Sequence, residues 1–364
     1  MKLTLTQNTL LCLVSHAVGF SKPLPDEIYE TDWDMLIRTA VRNGVAPLAF
    51  TGYVKSGLND DHNCKLNGKD LRRLKLTWMG LEIPQRKNYQ HQLKVLQKIT
   101  TFYENHGIKV HVIKGYSLSL CYPDPELRTS SDIDIYCGKD YKRSNELMEQ
   151  KGVKVDYSEH KHSTFSINGI AIENHHSFLN VHAHPSSRLV EQWIEDNLDS
   201  HTAMLLYLIR HSAENFTASQ ATLRQVLDCG LYAQRYQDFI DCGILMESAE
   251  EAGMIGYMDT VTFICTEYLG FRDSLFPPLN TERETLIRAA ADIIEPEFNE
   301  EHPSSISAEI RYKLRRWNKN RWKHDMVYAN ESLIGSFISQ MWSHLLKRWI
   351  SWKRPNRNGR TIWR

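Results

Sequence analysis

The stretch from Lys114 to Tyr136, KGYSLSLCYPDPELRTSSDIDIY, gathers the residue types that phosphate chemistry requires. It ends in two aspartates separated by one isoleucine. On a β-strand successive side chains alternate between faces, so Asp132 and Asp134 emerge together while Ile133 and Ile135 point into a core. Two carboxylates side by side repel unless a cation lies between them. Mg2+ fits that place, because it is a hard ion that takes one or two carboxylates together with nucleotide phosphates, and Mn2+ can substitute. Upstream, Gly115 lets the backbone approach a ligand closely and Ser117 offers a hydroxyl. Lys114 and Arg128 carry positive charge for phosphate oxygens. Arg128 has a second role open to it, a buried bridge that positions an aspartate.

Transfer through two metal ions calls for a third carboxylate, since the ions sit about 3.5–4 Å apart and clamp one reacting phosphorus. Glu173 is the candidate. The run INGIAIENHH puts Ala171, Glu173 and His175 on one face of a half-buried strand and Ile170 and Ile172 on the other. Histidines crowd the region: His160, His162, His175, His176, His182 and His184. A structural zinc site needs about four well-placed ligands, and no cysteine stands at suitable spacing, so zinc is disfavoured. His175 is read as orienting Glu173 or a substrate phosphate, and the other histidines as surface residues.

The order Lys114-Gly115-x-Ser117, then Tyr122, then Arg128-x-Ser130-x-Asp132-x-Asp134 resembles the nucleotidyltransferases of the DNA polymerase β superfamily. It is most similar to two bacterial branches. One is a poorly characterised family that often accompanies polysaccharide biosynthesis genes; the other is the toxin component of abortive-infection toxin-antitoxin pairs. The first fits more of the chain, from about residue 10 to about 290. The resemblance implies an α+β fold, a small mixed β-sheet nucleotidyltransferase core between N-terminal and C-terminal helical regions. It adds Ser130 and Arg224 to the nucleotide-binding set of Lys114, Gly115, Ser117 and Arg128, with Asp228 holding Arg224. Asp132, Asp134 and Glu173 become the metal ligands and catalytic carboxylates. Four residues apart on one helix, Arg224 and Asp228 also suit an ordinary surface ion pair. The implied reaction moves a nucleoside monophosphate from an NTP to an acceptor with release of pyrophosphate, two Mg2+ ions assisting. The acceptor stays open among a sugar phosphate, RNA, a protein side chain and a small metabolite. The alternatives are a toxin-like transferase acting on RNA or protein, and a nucleotide-binding module without turnover.

Composition sets the surroundings. At 364 residues, 41% hydrophobic and 24% charged, the chain suits a soluble globular protein of two or three compact units. Seven cysteines are scattered without paired spacing, as reduced thiols in a cytoplasmic protein are. The N-terminal apolar stretch is broken by Gln7, Asn8, Ser15 and His16, which argues against a signal peptide, and no run reaches the ~20 apolar residues of a membrane span.

A net charge of zero conceals an asymmetry: residues 301–364 hold 14 Lys and Arg against 4 Asp and Glu, and six of the nine tryptophans. Bases among indoles suit nucleic acid or an anionic surface. The spacing of Leu333, Ile334, Phe337, Ile338, Met341, Trp342, Leu345, Leu346 and Trp349 equally suits a helix docked on its own protein. Four regions follow: 1–106 helical, 107–186 the nucleotidyltransferase core, 187–300 helical, and 301–364 the basic segment. Helices are expected over 8–57 and 70–106 and from 187 to about 295. Strands are expected in IKVHVIKG, in DIDIY, and on both sides of a turn at Asn168-Gly169.

Overall fold

Helix-forming sequence flanks the phosphate segment on both sides, and the computed structural model, which describes residues 2–58, 68–182, 184–300 and 306–338, is built accordingly. In chain order the first helices are α1 (Leu5–Ala17), α2 (Trp33–Arg42), α3 (Ala46–Lys55), α4 (Gly68–Glu104), α5 (Tyr116–Ser119), α6 (Tyr141–Gln150) and α7 (Pro185–Asp196). They continue as α8 (His201–Thr217), α9 (Leu223–Arg235), α10 (Cys242–Glu251), α11 (Ile255–Phe263), α12 (Arg283–Ile294), α13 (Ile306–Asn320) and α14 (His324–Val327). Four strands, β1 (His111–Val112), β2 (Asp132–Tyr136), β3 (His162–Ile167) and β4 (Ile170–His175), form one mixed sheet in the order β1-β2-β4-β3. The fold is α+β.

Packing divides the chain into two units. One comprises Met1–Arg86, Cys121–Thr129 and Trp193–Asn330; the other comprises Lys87–Leu120, Ser130–Gln192 and the segment from Glu331. Cuts at 106, 186 and 300 follow chain order, whereas burial joins helices from both ends of the chain in the first unit and gives the second the C-terminal part of α4. We call them the helical unit and the sheet unit.

In the sheet unit one face of the sheet is the core. Ile133 and Ile135 of β2, Phe165 of β3, and Ile170 and Ile172 of β4 pack with Val95, Leu96, Ile99 and Tyr103 of α4 and Met148 of α6. Spacings of one, four and eight residues keep the four α4 side chains on one helix face. The β3–β4 hairpin turns at Asn168 and Gly169, both at positive φ (52° and 82°), the pair that a two-residue hairpin turn with the strands' own twist demands. β1 is shorter than IKVHVIKG suggested: only His111 and Val112 pair with β2.

Residues 306–330 belong to the helical unit. Lys323 is fully buried, its ammonium 2.5 Å from Asp292 and also donating to the Phe216 carbonyl. Trp322 meets Phe216 edge to face, with the Arg288 guanidinium 4.0 Å from the centre of its ring. This part of the basic segment completes a fold. The helix expected from Leu333 onward begins as read, but Met341, Trp342, Leu345, Leu346 and Trp349 lie outside the described residues.

Glu331 fastens the start of that helix to α7. Its carboxylate accepts from the Ser186 amide (3.0 Å) and hydroxyl (2.6 Å), from His184 Nδ1 (2.9 Å) and from the Ser336 hydroxyl (3.1 Å). Burial alone would raise its pKa, but these donors outweigh burial and bring it down to about 2. A lowered carboxylate pKa contributes stability that is complete above the ordinary value of 4.5 and lost as pH falls toward 2. The melting temperature of Glu331→Gln is therefore expected to lie below that of the wild type at pH 6, with the gap narrowing as pH falls from 4.5 toward 2. Parallel melting curves across that range would show that Glu331 is not held in this way.

Candidate active site

Strands β2 and β4 run parallel in a register that sets Asp134 beside Glu173, Asp132 beside Ala171 and Tyr136 beside His175. Across the β3–β4 ladder His162 stands opposite His175 and Thr164 opposite Glu173. Residues directly opposite one another share a face, so Asp132, Asp134, Glu173, His175 and His162 all lie on the face away from the isoleucine core. Lys114 joins them from the end of β1, its Nζ 2.9 Å from Asp134 Oδ1. His175 Nε2 is also 2.9 Å from Asp134 Oδ1 and 3.4 Å from Glu173 Oε2, while His162 Nε2 is 3.4 Å from the same Glu173 oxygen. Asp134, Glu173 and His175 each present a ligand atom, all within 4.8 Å of one another, the one such cluster among the described residues.

The electrostatics separate the two aspartates. Burial, then the charges of Asp134 and Glu173, push Asp132 above the usual carboxylate range despite Lys114. Asp134 is the more buried, and burial also works to raise it, yet Lys114 and His175 together hold it well below that range. Glu173 is likewise lowered, its burial outweighed by His175 and His162. His175 is raised in spite of burial by its bonds to the two carboxylates, whereas burial brings His162 down to about 4.

The loop leading into the site is fixed by short polar contacts. Gly115 adopts φ 61°, a left-handed backbone value that favours glycine, and it lies against the Asp132 carbonyl and Ser130 Oγ, which a Cβ there would meet at an ordinary contact of 3.4 Å. Ser117 donates its hydroxyl to the Lys114 carbonyl (3.3 Å) and Ser130 donates to the Asp132 carbonyl (3.0 Å). From α4, Asn88 Nδ2 and Gln92 Nε2 donate to the Ser130 carbonyl at 2.8 and 3.1 Å, so one turn of α4 sets where β2 begins. Sequence reasoning missed both. The signal available was two amides four residues apart beside the apolar face of a helix, one of them, Gln92, buried.

Three expected site residues belong to the helical unit. Arg128 is buried and bidentate to Asp228, Nε to Oδ1 at 2.7 Å and Nη2 to Oδ2 at 2.8 Å, and Tyr122 donates its hydroxyl to the same Oδ1 at 2.7 Å. Arg224 Nη1 donates to the Thr129 carbonyl at 3.0 Å. Asp228 thus engages Arg128, which takes the bridging role open to it, a partnership that the sequence did not suggest. The reading of the remaining histidines as surface residues is also corrected in part. His176 and His182 are exposed, but His160 and His162 are half-buried, and His184 is buried against Glu331.

A family model described as an uncharacterised nucleotidyltransferase matches residues 29–270, well over half of the chain. The chain belongs to that nucleotidyltransferase family. No curated protein and no solved structure matches it. As a nucleotidyltransferase it is a transferase with an NTP donor, and the matched span contains both motif strands together with Arg224 and Asp228. Among the described residues no helix is long and apolar enough to cross a membrane. The donor set suits a divalent cation: three carboxylates share one sheet face, and like charge is among the causes that raise Asp132, so a further positive charge there relieves repulsion.

Proposed function

We propose that this nucleotidyltransferase moves a nucleoside monophosphate from a metal-bound NTP to an acceptor hydroxyl or phosphate and releases pyrophosphate. The acceptor oxygen forms a bond to the α-phosphorus, the bond from that phosphorus to the pyrophosphate oxygen breaks, and the acceptor proton is released. The carrying observation is the register that sets Asp134 beside Glu173 with Asp132 on the same face. Asp132, Asp134 and Glu173 are the residues that would hold one or two divalent ions. Such an ion, when bound, neutralises charge on the transferred phosphoryl oxygens and lowers the pKa of the attacking oxygen.

The chain's own side chains supply the rest. Lys114, already beside Asp134, turns its ammonium to donor phosphates and neutralises charge on the departing pyrophosphate. The glycine backbone at 115 leaves space for the β and γ phosphates to lie close, and the hydroxyls of Ser117 and Ser130 border the same loop. His175 keeps Glu173 and Asp134 oriented. In the helical unit, Arg128 acts through Asp228 and Arg224 through the Thr129 carbonyl to hold the segment 121–129.

Two measurements test this reading. Incubation with each α-labelled NTP and a cell extract should label an acceptor, and its isolation names the donor and the acceptor class together. The metal complex of the preferred NTP should also raise the melting temperature, since a ligand at a hundredfold excess over its Kd adds about 2.7 kcal/mol to folded-state stability. Lys114→Ala should weaken that shift more than Glu173→Gln does. Absence of any label and of any shift with ATP, GTP, CTP and UTP would exclude nucleotidyl transfer.

A further inference from the structure

His175 makes two polar contacts whose chemistry fixes its tautomer. Its Nδ1 lies 3.2 Å from the Ser177 carbonyl oxygen, which has no proton to give, so Nδ1 carries the ring proton and donates. The carbonyl is held in turn: the Ser177 hydroxyl donates to the Leu179 carbonyl (2.9 Å), and the Phe178 and Leu179 amides both donate to the buried Glu191 carboxylate (2.8 Å each). In the neutral ring Nε2 is then a bare lone pair. That atom faces Asp134 Oδ1 at 2.9 Å and Glu173 Oε2 at 3.4 Å, and ionised carboxylates only accept. The Lys114 ammonium reaches Asp134 Oδ1 at 2.9 Å, and three electron-pair donors still converge on one point, which calls either for a second proton on the ring or for a cation that all three ligate. Metal-binding histidines regularly donate their other ring N–H to a backbone carbonyl, which sets the ring's orientation, and the Ser177 carbonyl provides that here.

We propose that His175 Nε2 is a direct ligand, together with Asp134 and Glu173, of the divalent ion at this site, and that the mixed nitrogen and oxygen donors make the site favour Mn2+ over Mg2+. The inference rests on the metal placement in the proposed function. It gives His175 a contact with the ion itself, beyond orienting Glu173. Mg2+ prefers oxygen donors and gives up its water reluctantly, whereas first-row transition ions accept imidazole readily, so one nitrogen in the set shifts the preference.

The test uses the full chain stripped of metal and then loaded with Mn2+. Spin-echo modulation spectra of the bound Mn2+ should show coupling to a directly ligated imidazole nitrogen. That coupling should vanish in His175→Gln and persist in Asp132→Asn. Titration should give Mn2+ an affinity at least about tenfold above that of Mg2+, falling toward parity in His175→Gln. Wild-type protein that binds Mn2+ without nitrogen coupling, that binds no Mn2+, or that prefers Mg2+ overturns the proposal, and the wild-type spectrum decides this even should His175→Gln fail to fold. Transfer from the α-labelled NTP is followed on the same preparations. Transfer without nitrogen coupling overturns the role of His175 alone, whereas coupling without transfer upholds His175 as a ligand and counts against the proposed reaction.

Discussion

Asp134→Asn is expected to lower nucleotidyl transfer about a thousandfold or more, while metal-free Asp134→Asn and Asp132→Asn move the melting temperature in opposite directions. A metal-ion contribution of about 4 kcal/mol to transition-state charge stabilisation corresponds to roughly three orders of magnitude in rate, and Asp134 is the carboxylate that both Lys114 and His175 address. The stability signs follow from the pairing. Asp134 has a lowered pKa, so its ionised form contributes stability at neutral pH that is lost as pH falls below the carboxylate range. Asp132 has a raised pKa, so its ionised form costs stability above that range. In EDTA at pH 7, Asp134→Asn should therefore melt below the wild type, with Lys114 and His175 left short of an anion, and Asp132→Asn should melt above it. Near wild-type turnover in Asp134→Asn would end the nucleotidyltransferase assignment of this site, and equal melting shifts for the two variants would refute the charge pairing.

The sequence treats those two aspartates as equivalent, because a two-residue period reports only that they share a face. Much else about the sheet was legible. Alternation in DIDIY and IAIENHH placed Ile133, Ile135, Ile170 and Ile172 inward and Asp132, Asp134, Glu173 and His175 outward, and the Asn168-Gly169 pair announced the hairpin. Each depends on neighbours within a few residues. The difference between Asp132 and Asp134 arises from register: Asp134 is the one that stands beside Glu173, within reach of Lys114 and His175.

Contacts between distant residues were the illegible part. Asn88 and Gln92 sit some forty positions before the carbonyl they bind, and amides on a helix carry no mark of such a partner. His162 looked like one of many strand histidines until antiparallel pairing set it opposite His175. Arg128 is the plainest case. Its charge and its place in the motif suggested both a phosphate contact and a buried bridge, and nothing near it in sequence announced that its bidentate partner, Asp228, stands a hundred residues later.

Asp228→Ala is accordingly expected to act mainly on stability. The carboxylate accepts two hydrogen bonds from Arg128 and one from Tyr122, and all three residues are buried, so its removal strands a guanidinium and a phenol away from water. Breaking a buried ion pair from one side costs about 3–5 kcal/mol, which for a unit of this size lowers the melting temperature by roughly 10 °C. Replacing both partners with apolar residues of similar volume, as in Arg128→Met with Asp228→Leu, should recover most of that loss, because no uncompensated charge then remains inside. A nucleotide-binding role for Asp228 forecasts something different: an unchanged melting temperature with a raised KM for the NTP, and no rescue by the double change. Measuring melting temperature and KM on the single and double variants separates the two, and a stable Asp228→Ala with weakened NTP binding would overturn the structural role of the pair.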